Sequence, residues 1–198
     1  MKQMSGFLQD ERAWVDFVLS KTALILASVV VIAAIYHFAV SMDEVNHQKE
    51  LDVLSTELLS HIDKAGSSPD EVNITYTFNK EHLSHFQGQH LETLISGEYV
   101  VVYANIDGRS IISAKTPAFR VYPYPPSVLY DDLRSEYGSS GTITEPIRAE
   151  HADMIGYLTS RTDEVSFNAS NQVYIQKTFI YFIGDVNVEK IGYVLVYQ

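Results

Sequence analysis

An uncharged apolar run from Thr22 to Val40 constrains this chain more than any other feature of its sequence. The run reads TALILASVVVIAAIYHFAV, and its one strongly polar member is His37. At a helical rise of about 1.5 Å per residue, a run of this length spans the hydrocarbon core of a bilayer. In lipid, a helix satisfies the backbone hydrogen bonds within a single segment. The run predicts a transmembrane helix over residues 22–41, the alternative being a buried core helix of a soluble protein.

Charged residues are unevenly distributed around this run. The charges of residues 1–21 cancel, because three residues are basic and three acidic: Lys2, Arg12, Lys21, Asp10, Glu11 and Asp16. The formal net charge of −11 therefore belongs entirely to the residues after the run. Only Lys49 is basic within about twenty residues after it, a bias that predicts a cytoplasmic N-terminus and an extracytoplasmic C-terminal domain at the cell membrane.

The acidic charge and the absence of cysteine exclude several classes of function. We expect no nucleic-acid partner, because the sequence has no basic patch that would release counterions from phosphates. A chain without cysteine forms no disulfides, thiolate metal sites or cysteine nucleophiles. No nucleotide-binding or hydrolase motif is present, so we expect no cofactor and no enzymatic activity. Membrane lipid is the expected partner, and no motif identifies a ligand.

Residues 43–64 extend the apolar run with an amphipathic pattern. Apolar residues recur at spacings of three and four: Val45, Leu51, Leu54, Leu58 and Ile62. Because no Pro or Gly interrupts the chain here, we expect one continuous helix from about Ala13 to Lys64. Gly66 and Pro69 would end it. We assign residues 42–66 to the amphipathic continuation of the membrane span.

From Val72 the hydrophobic period changes to two, which predicts β-strands. Strands are expected at residues 72–79, 98–105, 110–115, 164–167, 172–182 and 190–197, and weaker patterns suggest strands at 119–122 and 154–158. Asp107-Gly108 predicts a hairpin turn, and Gly184 to Asn187 another. Residues 81–95 are expected to form a short helix or loop, and 128–137 a short helix.

These patterns together predict an α+β fold. A long N-terminal helix, with a transmembrane half and an amphipathic half, would pack on a mainly antiparallel β-sheet domain. That extracytoplasmic domain would comprise residues 67–198, and residues 1–21 would form a cytoplasmic segment or a leader.

The region before the apolar run has the pattern of a leader. Glu11-Arg12-Ala13 precedes Trp14-Val15-Asp16-Phe17 and the long apolar helix. A basic and then a small residue upstream of such a helix resembles the cleavage region of archaeal type IV prepilins. This resemblance implies cleavage between Ala13 and Trp14. A cut between Gly6 and Phe7 would instead place Glu11 at the fifth mature position, as in bacterial type IV prepilins.

Two alternatives to this leader stay open. Asp16 and Lys21 interrupt a stretch that is uncharged in those families, so a plain signal-anchor with a short cytoplasmic tail also fits. Ala39-Val40-Ser41 also has the small-x-small pattern of a conventional signal cleavage site.

The resemblance implies a type IV pilin-like or pseudopilin-like subunit whose apolar half-helices pack against like subunits. An acidic chain without cysteine is typical of an archaeal cell-surface protein. The alternative is a single-pass membrane protein with an extracytoplasmic ligand-binding or adhesive domain that does not assemble. A membrane-tethered hydrolase is a third interpretation.

Several further residues are candidates for a site or a modification. His82, His85 and His90 lie close together in sequence, and imidazoles suit Zn²⁺ or Cu²⁺. They lack a recognised ligand spacing, so we interpret them as solvated histidines on a surface loop and expect no metal site. An acidic group could attract Ca²⁺, but it lacks the alternating acids and fixed Gly of a calcium loop, so we expect no metal site there either: Asp131, Asp132 and Glu136. The Tyr-Pro run at 122–126 is either a rigid binding surface or a crossover packed on the core. Asn73 and Asn168 begin Asn-x-Ser/Thr sequons and are candidate glycosylation sites.

Overall fold

A computed structural model describes residues 4–79, 83, 86, 90–106, 108–160, 163–183 and 187–198, with the backbone alone given for residues 4–13 and 90. The chain divides into two compact units, Met1–Asn46 and His47–Gln198. Among the described residues, the first unit is helical and the second contains the strands. The fold is α+β, as the sequence predicts.

Helix α1 covers Met4–Ser67, which is longer at both ends than the predicted helix. Within the second unit it buries one apolar stripe, and these residues are completely inaccessible: Leu51, Leu54, Leu58, Ile62 and Ala65. The stripe follows the three-and-four spacing that the sequence predicts, so burial of one face holds this part of the helix in place. The helix continues through Gly66, which the sequence predicts to end it, and stops at Ser67, two residues before Pro69, which lacks the N–H that would continue it.

The described residues form eight strands in two four-stranded sheets. Their bounds are Val72–Tyr76 (β1), His90–Ile95 (β2), Val100–Ile106 (β3), Arg109–Lys115 (β4), Val121–Tyr122 (β5), Val165–Asn168 (β6), Val173–Ile183 (β7) and Val188–Tyr197 (β8). Sheet A has the order β1-β7-β8-β5, and sheet B the order β4-β3-β2-β6. All pairings are antiparallel except that of β5 with β8.

Helix α1 and both sheets share the first hydrophobic core. Its sheet residues include Val100 and Val102 from β3, and Ile175 and Val196 from sheet A. The second core lies between sheet A and two short helices, Pro126–Tyr137 (α2) and His151–Thr159 (α3). Sheet A is therefore covered on both faces.

Strand β8 is buried on both faces, as this two-core arrangement requires. Tyr193 and Leu195 belong to the second core, whereas Val194 and Val196 belong to the first. All four are at most 5% exposed. Because successive side chains point to opposite faces of a strand, a run of four apolar residues is what a central strand covered on both sides needs.

Most predicted elements are confirmed, and two are wrong. The hairpin of β3 and β4 turns at Gly108, whose φ of 79° favours glycine. Residues 90–95 form strand β2 rather than a helix or loop. Residues 154–158 lie in helix α3 rather than in a strand, because Met154 and Leu158, one helical turn apart, both face the second core. Residues 184–186 of the predicted second turn lie outside the described residues.

Candidate functional site

The most extensive unusual surface of this chain is the apolar part of helix α1. Every side chain from 14 to 46 is exposed within the first unit. The exposed side chains include Trp14 at 69%, Val30 at 67% and Tyr36 at 72%. Among the described residues, one helix, with a mean hydropathy of 2.5 in its most apolar stretch, is long and apolar enough to cross a membrane. An apolar surface of this extent needs lipid or other apolar helices around it.

The predicted cleavage bonds lie inside this helix. Both the Ala13–Trp14 bond and the Gly6–Phe7 bond fall within the bounds of α1. Lys21, one of the two charged residues between Trp14 and the apolar run, places its ammonium 5.5 Å from the centre of the Phe17 ring. This cation–π contact at i, i+4 lets a charge lie beside the apolar surface of the helix.

A polar groove of about 610 Å³ lies between α1 and the edge strand β1. Four hydroxyl side chains line it together with Glu57, His61 and Tyr76: Thr56, Ser60, Thr75 and Thr77. The His61 and Tyr76 rings are 5.2 Å apart and tilted by 46°. Among the described residues that line the groove, Glu57 is the one carboxylate, and none carries a Lys or Arg cation. The groove therefore suits a neutral or cationic polar molecule better than an anion.

Tyr76 gives this groove a buried polar atom. The residue is 5% exposed, and its hydroxyl has no hydrogen-bond partner of acceptable geometry in the described part of the chain. Burial, with a smaller contribution from the nearby Glu57 carboxylate, raises the pKa of the phenol well above its ordinary value. The hydroxyl therefore stays protonated at neutral pH and can donate a hydrogen bond.

A partly buried polar cluster that the sequence did not reveal joins α1 to β4. The Ser55 and Ser113 hydroxyl oxygens lie 2.7 Å apart, and Ser113 Oγ donates to Asp52 Oδ1 at 2.5 Å. Lys115 Nζ lies 3.3 Å from the same carboxylate oxygen. Ser113 lowers the pKa of Asp52, and Lys115 adds to this. Since Ser113 is 3% exposed, this cluster connects helix and sheet and offers no nucleophile to a substrate.

One sequence signal could have indicated this cluster. Ser55 occupies a position between Leu51 and Leu58 on the apolar stripe of α1, and it is completely buried. A polar residue on a buried helix face requires a hydrogen-bond partner, although sequence does not say which one.

The structure describes some of the other predicted site residues and not others. His82 and His85 lie outside the described residues, and His90 begins β2 without a described side chain. Asp131, Asp132 and Glu136 lie on helix α2, and no group of three metal-ligating side chains occurs among the described residues. Asn73 and Asn168 are both exposed.

The Tyr-Pro run packs largely on the core. Tyr122 is 3% exposed, and its ring packs edge-on against the Tyr193 ring, with the two ring centres 5.2 Å apart. Pro125 is extended, with φ −68° and ψ 155°, and α2 begins at Pro126. The run therefore serves as a crossover from sheet A into α2, which is the second of the two interpretations above.

No family model matches this chain, and neither a curated protein nor a solved structure is significantly similar to it. The functional argument therefore rests on the geometry of the chain itself.

Proposed function

We propose that this chain is a type IV pilin-like or pseudopilin-like subunit, anchored in the cell membrane by the apolar part of α1. The supporting observation is the difference in side-chain exposure between two stretches of that helix. Residues 14–46 expose apolar side chains, while the stripe from Leu51 to Ala65 is buried in the β-rich unit. The two stretches are thus suited to different environments, the first to lipid or like helices and the second to a sheet.

The proposed mechanism is packing rather than catalysis. In the membrane, lipid chains cover the apolar stretch, and in an assembly the same stretch contacts like helices. Lipid is as apolar as the helices, so association would depend on close van der Waals packing. Ala23, Ala27 and Ala34 would allow backbones to approach closely. The N-terminus would face the cytoplasm and the acidic domain the outside, according to the distribution of basic residues.

Mass and N-terminal sequence of the protein from its native membrane test this proposal first. A new N-terminus at Trp14 or Phe7 would support processing as a prepilin-like subunit. An intact Met1 would favour a permanent anchor, and an N-terminus near Met42 would contradict membrane anchoring of the mature protein.

Cysteine cross-linking tests assembly directly, because the chain has no cysteine of its own. We expect Ala27→Cys and Ala34→Cys to form cross-linked dimers in the native membrane. The matched control is Ser135→Cys, which places an exposed thiol on α2, outside the apolar helix. Cross-links at Ser135→Cys alone, or at none of the three positions, would contradict assembly through α1.

The groove beside Tyr76 supports a second candidate, a membrane-anchored binding domain that does not assemble. A ligand that binds only the folded state raises the unfolding midpoint. Thermal shifts of the full-length protein in detergent with small neutral and cationic compounds would detect one. Ser60→Trp fills the groove and should abolish such a shift, whereas Ser67→Trp, an exposed change on the same helix, should not.

A further inference from the structure

The two sequons of this chain lie in different backbone settings. Asn73-Ile74-Thr75 lies inside strand β1, whereas Asn168-Ala169-Ser170 begins at the last residue of β6 and continues into a turn. Both asparagines are exposed, so accessibility alone does not distinguish them. We propose that Asn168 is an N-glycan acceptor in the folded domain and that Asn73 is not.

The turn at Asn168 brings the sequon residues together. The Ser170 amide donates to Asn168 Oδ1 at 2.8 Å, and the Asn171 amide donates to the Asn168 carbonyl at 3.0 Å. Such Asx turns fold the asparagine side chain back over the residues that follow it. Ala169 is 2% exposed and fixes the turn to the first core, while Asn168 and Ser170 on either side face solvent.

The backbone of Asn168 is held independently of its side-chain nitrogen. The Asn168 amide donates to Gln198 Oε1 at 3.0 Å, and Gln198 Nε2 donates to the Asn168 carbonyl at 2.8 Å. Asn168 Nδ2 makes no hydrogen bond with any residue that the structure describes. The nitrogen that would accept the glycan therefore faces solvent, and Gln198 holds the backbone that carries it.

Glycan transfer to this nitrogen is a balanced substitution. The donor would be a glycan activated as a lipid-linked phosphate or diphosphate. The bond from Nδ2 to the sugar C1 forms, and the bond from C1 to the phosphate oxygen breaks. The amide proton passes to a base of the transferase, and the lipid phosphate leaves with the electron pair.

Asn73 cannot form a turn like that at Asn168, because β1 is paired with β7 along its whole length. Asn73 lies opposite Gln176, and Thr75 opposite Tyr174, in the antiparallel ladder with β7. Ile74 between them packs against the first core. Folding this sequon into a turn would require loss of ladder hydrogen bonds and of that packing.

This inference rests on the proposed location of the domain outside the membrane. Glycopeptide mass spectrometry of the full-length protein from its native membrane measures occupancy at both asparagines. We expect a glycan on Asn168 and none on Asn73. A glycan on Asn73, or no glycan on Asn168, would overturn the inference.

Matched variants separate the sequon from the fold. Asn168→Gln and Ser170→Ala should each remove one glycan from the intact mass, whereas Ser170→Thr and Thr75→Ala should leave the mass of the glycan unchanged. Protease accessibility of the domain in intact cells is measured in parallel. An accessible domain without a glycan overturns this inference alone, and an inaccessible domain also contradicts the proposed location.

Discussion

The ammonium of Lys177 donates a hydrogen bond of 2.8 Å to the carbonyl oxygen of Gly66, and a second to the carbonyl of Ser68. Lys177 lies in β7 and is 9% exposed, and Gly66 lies in the last turn of α1. The last carbonyls of a helix lack hydrogen-bond partners within the helix and carry partial negative charge. A buried cation at this end donates hydrogen bonds to these carbonyls and neutralises their charge. Gly192 leaves room for it, since a Cβ there would lie 2.7 Å from Lys177 Cε.

Lys177→Met should therefore destabilise the β-rich unit. We expect a loss of about 2 kcal/mol in the free energy of unfolding, because hydrogen bonds to charged groups contribute roughly 1.5–3 kcal/mol. Urea unfolding of the full-length protein in detergent, followed by near-ultraviolet circular dichroism, measures it. Lys64→Met at an exposed position of the same helix end is the control and should change stability by less than about 0.5 kcal/mol. Equal losses in both variants would contradict the capping role.

Gly141 and Gly138 allow a second comparison, because both have a φ of 72°. An added Cβ at Gly141 would lie 2.7 Å from Ile180 Cγ2 and 3.0 Å from Ile147 Cδ1, while nothing lies within 4 Å at Gly138. Gly138→Ala should cost about 1–2 kcal/mol through backbone strain alone. Gly141→Ala should cost about 1–3 kcal/mol more through overpacking.

Thermal unfolding of the two glycine variants under identical conditions measures this difference. A midpoint for Gly141→Ala at or above that of Gly138→Ala would show that the second core relaxes around the added methyl group.

Asp52 should make stability dependent on pH in the acidic range. Its folded-state pKa is lowered, mainly by the hydrogen bond from Ser113, so the ionised form is favoured in the folded state. This contribution is fully present at neutral pH and is lost as the pH falls below about 4 and through the lowered pKa. Ser113→Ala should make the loss of stability between about pH 5 and pH 2 shallower.

The control for the pH experiment is Ser110→Ala, an exposed change on the same strand β4. Urea midpoints at several pH values measure the effect. A steeper acid dependence in Ser113→Ala than in Ser110→Ala would contradict the assignment.

The buried hydroxyls of Tyr76 and Tyr193 have no hydrogen-bond partner of acceptable geometry in the described part of the chain. Burial raises the pKa of both phenols. Tyr76→Phe and Tyr193→Phe should leave stability unchanged or raise it by about 1 kcal/mol, because an unpaired buried polar group is costly. Tyr130→Phe, which removes a hydroxyl 2.8 Å from Thr178 Oγ1, should instead lose about 1 kcal/mol.

Equilibrium unfolding of these three variants measures their free energies of unfolding and ranks them by stability. A clear loss in Tyr76→Phe would indicate that its hydroxyl bonds to Glu57 in solution.

Anchoring by α1 predicts that Val30→Arg impairs membrane insertion, because a charge at the centre of a membrane helix costs roughly 2.5–3.5 kcal/mol. Ile143→Arg is a matched control, since Ile143 is 69% exposed and Val30 is 67% exposed. We expect the first variant to lose membrane association in cell fractionation and the second to keep it. Equal membrane association of the two variants would contradict a span at Val30.

Local patterns predicted the elements whose residues carry a regular signal over enough length. The stripe of α1 and the strands β7 and β8 are confirmed, as is the turn at Gly108. The two errors involve short segments. Residues 90–95 alternate too weakly to distinguish a strand from a loop, and a five-residue apolar run such as 154–158 fits either a strand or a helix. Pairing of β2 with β3 and β6, and the second core beneath α3, decided these cases.

The sequence by itself determined that this chain has a span-length apolar helix, an acidic β-rich part and no thiol chemistry, because composition and periodicity are local properties. Only the tertiary structure decided that Lys177 caps α1, that Ser55 meets Ser113, and that Asn168 rather than Asn73 begins a turn. These relationships join residues as many as 111 positions apart. Contacts at such separations depend on how both sheets pack around α1, and no pattern within a single segment encodes them.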